Sequence, residues 1–145
     1  MIRIVCFGKL KEKYLIDLCE DYLKRIKKYH KIEVINLKDD IKISNETDSL
    51  MKVFNKSHFN ILLDIKGEGY SSEEFSTLID SIFINYSNIT FIIGGSNGVE
   101  DSVKELCNLR LSFSKFTMPH GLFRGVLLEQ IYRAFKINNN EGYHK

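Results

Sequence analysis

The sequence predicts an α/β fold in which a mainly parallel sheet is covered by helices on both faces. Three observations carry this expectation. Short β-branched runs alternate with stretches whose apolar residues recur every three or four positions. The run FNILLDI at 59–65 is apolar almost throughout, as suits a strand buried on both faces. Glycine-bearing loops follow the third and fourth of these runs. With 145 residues, the chain suits one domain, 1–145, around one core.

The first element is the strand IRIVCF (2–7), closed by Gly8. A helix follows from about Glu12 to Lys28, its Leu15, Leu18, Tyr22, Ile26 and Tyr29 at helical spacing. IEVINL (32–37) is the second strand, and a weaker helical pattern carries Leu50, Met51 and Phe54. After the third strand, Gly67 and Gly69 punctuate a turn, and Ser71 with Glu74 has capping-box spacing at the head of a helix. Phe75, Leu78, Ile79, Ile82, Phe83 and Tyr86 make the apolar face of that helix. ITFII (89–93) is the fourth strand, GGSNG (94–98) a tight loop and VEDSVKELC a short helix. LRLSFSKF (109–116) alternates as a fifth strand, TMPHG bends the chain, and 122–137 is a final helix with Leu122, Val126, Ile131 and Phe135 inward.

Composition narrows the class. No apolar run approaches the ~18–20 residues of a membrane span, and the N-terminal apolar segment is too short for a signal peptide, so a cytoplasmic location is expected. Cys6, Cys19 and Cys107 are scattered, and the four histidines lack metal-ligand spacing, so neither a disulfide framework nor a metal site is expected. The net charge of +2 hides an uneven distribution. Residues 1–38 carry +5, 39–109 carry −7 and 110–145 carry +4. Two basic ends brought together could face phosphate; left apart, they are solvated helix faces.

Open α/β sheets bind ligands beyond the carboxyl ends of their strands, where three loops are candidates: DIKGEG, GGSNG and SKFTMPHG. GGSNG matches neither the dinucleotide fingerprint nor the P-loop. Taken singly, His120, Arg124, Tyr143 and His144 read as a cap, a surface ion-pair residue and a tail. Residue types and spacing alone stop at an α/β domain with glycine loops.

Together, IIGGSNG, LSFSKFTMPH, LLEQIYRAFKI and the final YHK resemble the RlmH family of ribosomal large-subunit RNA pseudouridine N3-methyltransferases, within the SPOUT class. FGKLKEKY and LLDIKGE are similar to the same family, so the likeness runs from end to end in matching order. The resemblance implies a SPOUT-type fold with a C-terminal trefoil knot and S-adenosyl-L-methionine held in that knot. The family's cofactor positions fall on Leu63, Gly94, Phe113, Ser114, Lys115, Phe116, Thr117 and Met118. It also implies a homodimer whose active sites are each completed by the partner, with Tyr143, His144 and Lys145 brought to the mouth of a pocket. The implied substrate is a pseudouridine in a 23S rRNA loop of the assembled ribosome.

In that reading His144 or Tyr143 relays the N3 proton or orients the base, and Arg124 and His120 steady developing negative charge or hold phosphate. The chain departs from the family at Met118, Gly121, Gly125 and Gly142, and is shorter around 40–57. Gly121 and Gly142 are expected to loosen the helix start and the tail, and Gly125 to weaken the last helix by about 0.5–1 kcal/mol relative to alanine. Two other readings are a non-enzymatic ribosome- or RNA-binding module and a SPOUT methyltransferase acting on tRNA.

Overall fold

The computed structural model describes residues 1–145. Its elements are β1 (Ile2–Phe7), α1 (Lys13–Ile26), β2 (Ile32–Leu37), α2 (Ile43–Val53), β3 (Phe59–Gly69), α3 (Ser72–Asn85), β4 (Ile89–Ile93), α4 (Asp101–Leu106), β5 (Leu109–Ser112) and α5 (His120–Asn138). The five strands form one sheet in the order β2-β1-β4-β3-β5, and every pairing is parallel.

Alternation along the strands divides the core between the two faces. Ile2, Ile4 and Cys6 of β1, with Ile89, Phe91 and Ile93 of β4, point toward α1, α3 and α5. Val5, Phe7, Leu62 and Ile92 point the other way, onto Leu50 of α2 and Val103 of α4. Helices therefore cover both faces. β1 and β4 are neighbours, but the helices that follow them lie on opposite faces. The loops after Phe7 and Ile93 consequently diverge and leave a crevice between them.

Several expectations need correction. β3 does not end in a turn at Gly67 and Gly69 but continues to Gly69. Leu111 faces both Leu63 and Glu68, so the register slips and the intervening residues bulge out. Gly67 permits this, because a Cβ there would stand 2.6 Å from the Arg110 carbonyl group. β5 stops at Ser112 instead of running to 116. Serine chemistry ends it: Ser112 Oγ donates to the Ser114 carbonyl at 3.1 Å, and Ser114 Oγ accepts from the Phe116 N–H at 2.9 Å.

The last helix begins at His120, directly after Pro119, and its inward face is rotated from the one expected. Leu122 is 40% exposed and Val126 only half-buried, whereas Arg124, Leu127, Leu128, Ile131 and Phe135 are buried. The glycines explain the error, since Gly121 and Gly125 face α1 without registering as apolar. A Cβ at Gly121 would lie 2.6 Å from Leu15 Cδ1, and one at Gly125 2.5 Å from Leu18 Cδ2. These glycines seat two helices closely instead of merely loosening one. Finally, α1 runs from Lys13 to Ile26, with Glu12 as its cap residue, and in α2 Leu50 is buried while Met51 is exposed. The capping box of α3 forms as expected, with Glu74 N–H donating to Ser71 Oγ at 3.1 Å and Ser71 N–H to Glu74 Oε1 at 2.9 Å.

Candidate functional site

Two cavities open at the carboxyl end of the sheet. The first, about 310 Å³, lies beyond β3, β4 and β5, and it gathers Leu63, Gly94, Phe113, Ser114, Phe116, Thr117 and Met118. Of the cofactor positions implied by resemblance, only Lys115 is outside its lining. The pocket wall also includes Ile65, Ile93, Val99 and Phe123, which sequence reasoning missed. Ile93 and Val99 flank GGSNG, and that adjacency was the available signal. Phe123 carried none, because its pocket contact depends on where α5 starts.

The lining suits a nucleoside cofactor. Apolar side chains make a slot for a flat base, and the loops 94–98 and 113–118 border it. The GGSNG loop is folded tightly: Gly98 N–H donates to the Gly95 carbonyl at 2.9 Å, with Gly98 at φ 74°. A side chain at Gly94 is excluded, since its Cβ would lie 2.7 Å from Val99 Cγ2.

The second cavity is a more polar cleft of about 640 Å³ in the crevice between β1 and β4. It is walled by the loops at Gly8–Leu10, Asp39–Ile41 and Gly95–Asn97, and by the head of α5. Gly95 and His120 line both cavities, so cleft and pocket are contiguous there. His120 is exposed at the first position of α5.

Arg124, one turn further on, is not a surface residue. It is 6% exposed, and its Nη1 donates to Asn36 Oδ1 at 3.0 Å and its Nη2 to the Gly8 carbonyl at 3.1 Å. Nε has no partner, and no ion pair includes this guanidinium. Its hydrogen-bond acceptors are neutral, and in the cleft it faces the side chains of Glu12, Asp39 and Asp40 without an ion pair to any of them.

Tyr143 and His144 lie elsewhere. The tail folds back onto the far half of α5, where Tyr143 OH donates to Glu129 Oε1 at 3.0 Å and sits 3.4 Å from Tyr22 OH. The Arg133 guanidinium stacks over the Tyr143 ring, 4.7 Å from its centroid, and itself pairs with Glu129 at 2.6 Å. Burial first, then Tyr22 and Glu129, holds the Tyr143 phenol well above its usual range. This hydroxyl is a donor, not a proton acceptor, at neutral pH.

His144 is gripped on both ring nitrogens. Arg133 Nη1 lies 3.0 Å from Nδ1, and a guanidinium can only donate, so Nδ1 accepts. Nε2 then carries the proton and donates to Glu73 Oε1 at 2.5 Å. From His120 to Arg133 is about 20 Å along a helix. The structure thus joins His120 and Arg124 to the cavities and leaves Tyr143 and His144 apart from them within one chain. Lys145 is exposed at the end of this tail. No cluster of three or more metal-ligating side chains occurs, and no helix is long and apolar enough to cross a membrane.

The chain as a whole is similar to known proteins. Residues 1–144 match the family model described as "Predicted SPOUT methyltransferase". The chain is 46% identical to the ribosomal RNA large subunit methyltransferase H of Fusobacterium nucleatum and 42% identical to that of Clostridium acetobutylicum, each comparison covering 99% of both chains. A probable methylase family protein from Haemophilus influenzae has a similar fold, with TM-score 0.54 and 11% identity over 96% of this chain and 66% of that one.

Proposed function

Because the chain belongs to the SPOUT methyltransferase family, we infer that it methylates N3 of a pseudouridine in 23S rRNA of the assembled ribosome, using S-adenosyl-L-methionine. One observation carries the reading: an apolar pocket built from three strand-end loops meets a polar cleft at Gly95 and His120. The pocket would hold the cofactor against Leu63, Gly94, Phe113 and Met118, with Ser114, Lys115, Phe116 and Thr117 completing the loop around it. Residues 1–145 form one methyltransferase domain, and the segment after β4 is knotted as in the family.

When bound, S-adenosylmethionine supplies a methyl group already activated on a sulfonium sulfur. Most of the remaining work is positioning. The cleft takes the target base; a loop base is already unpaired, so little energy is spent in presenting it. As the N3–C bond forms, the proton of N3 must leave, and negative charge gathers on the flanking carbonyls. Arg124 steadies that charge from the cleft wall, and His120 is the exposed group nearest the junction of the cavities.

Tyr143 and His144 serve as orienting groups supplied across a homodimer. Supporting this, neither Tyr143 nor His144 lines the pocket or the cleft of its own chain, so a site that uses them with the pocket draws on two chains. The exposed Leu122 and Phe116 beside the cavities are apolar surface suited to such a contact.

The test is transfer of a labelled methyl group to ribosomes that carry the pseudouridine but lack its methyl. Label at N3 of one large-subunit pseudouridine is expected, with none on transfer RNA. Label on transfer RNA instead, or cofactor binding without transfer to any RNA, sinks the reading.

A further inference from the structure

One buried carboxylate has no part in the site so far. Glu46, on α2, is 4% exposed, and no ion pair includes it. Its Oε2 accepts from the Asp40 N–H at 3.2 Å, while Oε1 is buried with no partner. The carboxylate lies against Gly95, where a Cβ would stand 2.9 Å from Oε2 and 3.0 Å from Oε1. A second tie between the same loops, Asn97 Nδ2 donating to the Ile41 carbonyl at 3.1 Å, fixes this arrangement.

A buried, unpaired carboxylate is costly unless something compensates it. Oε1 is sealed from solvent and so is out of reach of direct contact. What Glu46 offers the pocket is its field, passed through a residue that has no side chain to intervene. That field favours a cation. A methyl-transfer pocket holds two forms of one molecule in each turnover: S-adenosylmethionine, with a positive sulfonium, and S-adenosylhomocysteine, with a neutral thioether. We propose that Glu46 is a specificity-determining residue that favours the charged cofactor over its neutral product.

This rests on the reading of the pocket as the cofactor site. The effect belongs to loading and release, not to the chemical step. Positive charge leaves sulfur as the methyl departs, so a nearby negative charge steadies the starting complex more than the transition state.

Two charged groups line the pocket itself, Asp64 and Lys104. Lys104 is 3.7 Å from Asp101, and Asp64 is only half-buried. Salt screens such partly exposed charges strongly and a buried one much less.

The test is calorimetric titration of wild type, E46Q and D64N with each ligand at low and high salt. E46Q is expected to weaken S-adenosylmethionine about tenfold at both salt levels and to leave S-adenosylhomocysteine within about twofold. D64N should narrow the preference only at low salt. Equal weakening of both ligands by E46Q, or no change in either, overturns the proposal and leaves the cofactor site standing. Failure of both ligands to bind the wild type overturns both readings. Should E46Q fail to fold, E46D withdraws the same charge from Gly95 and must weaken S-adenosylmethionine selectively.

Discussion

Arg124 shows how one side chain can be structural and functional at once. Its two terminal nitrogens tie α5 to β2 and to the loop after β1, while its charge faces the cleft. Arg124→Ala is expected to cost about 2–4 kcal/mol of stability, because two acceptors lose their donor and a cavity opens. It should also slow methyl transfer while S-adenosylmethionine affinity stays near normal. Chemical unfolding and single-turnover assays separate the two effects, and unchanged turnover refutes the functional part. In the tail, the His144 hydrogen bond holds the Glu73 carboxyl below its ordinary value of 4.5. A lowered carboxyl contributes stability above its unfolded-state value and loses it as pH falls through the folded one. In His144→Ala the Glu73 titration, followed by NMR, should therefore move upward; no movement contradicts the assigned hydrogen bond.

At the scale of elements, the packing of α1 on α5 makes the sharpest prediction. Alanine is ordinarily better than glycine in a helix, by about 0.5–1 kcal/mol. At Gly125 a methyl group meets Leu18, so Gly125→Ala should give no gain alone and should stabilise only in a Leu18→Ala background. A stability cycle of the four proteins reads this directly, and additivity would refute the close approach. The same seam shows where sequence reading reached its limit. Strands β1, β2 and β4 were legible to the residue, since each is a short apolar run bounded by polar residues or glycine. The inward face of α5 was not, because two glycines occupy it and glycine is silent in a hydrophobic pattern. The long β3 was hidden for a related reason: KGEG looks like a turn until β5 is known to lie alongside it.

Over the whole molecule, the site was more legible as loops than as side chains. The alternation of strands and helices puts DIKGEG, GGSNG and SKFTMPHG at one end of the sheet, but nothing local marked Arg124 as buried or Glu46 as packed behind Gly95. Both depend on partners far along the chain, Asn36 with Gly8 in one case and Gly95 in the other. The buried thiols make a global prediction. Burial pushes Cys6, and likewise Cys107, up to about 11 from 9.0. Their folded values lie above the unfolded one, so the stability they carry is full below about pH 9 and is lost as pH rises toward 11. Urea unfolding should show that decline, and Cys107→Ser should make it shallower; a flat profile would contradict the burial. The same long-range architecture bears on birth as well as stability. Because β1 pairs with β4 and α1 rests on α5, the nascent chain leaves the exit tunnel with Leu15, Cys19 and Ile26 uncovered until the last helix is made. Folding therefore waits until α5 has been made. A stalled-chain tension assay should register a pulling force only once α5 has cleared the tunnel, and until then these residues are ground for chaperones.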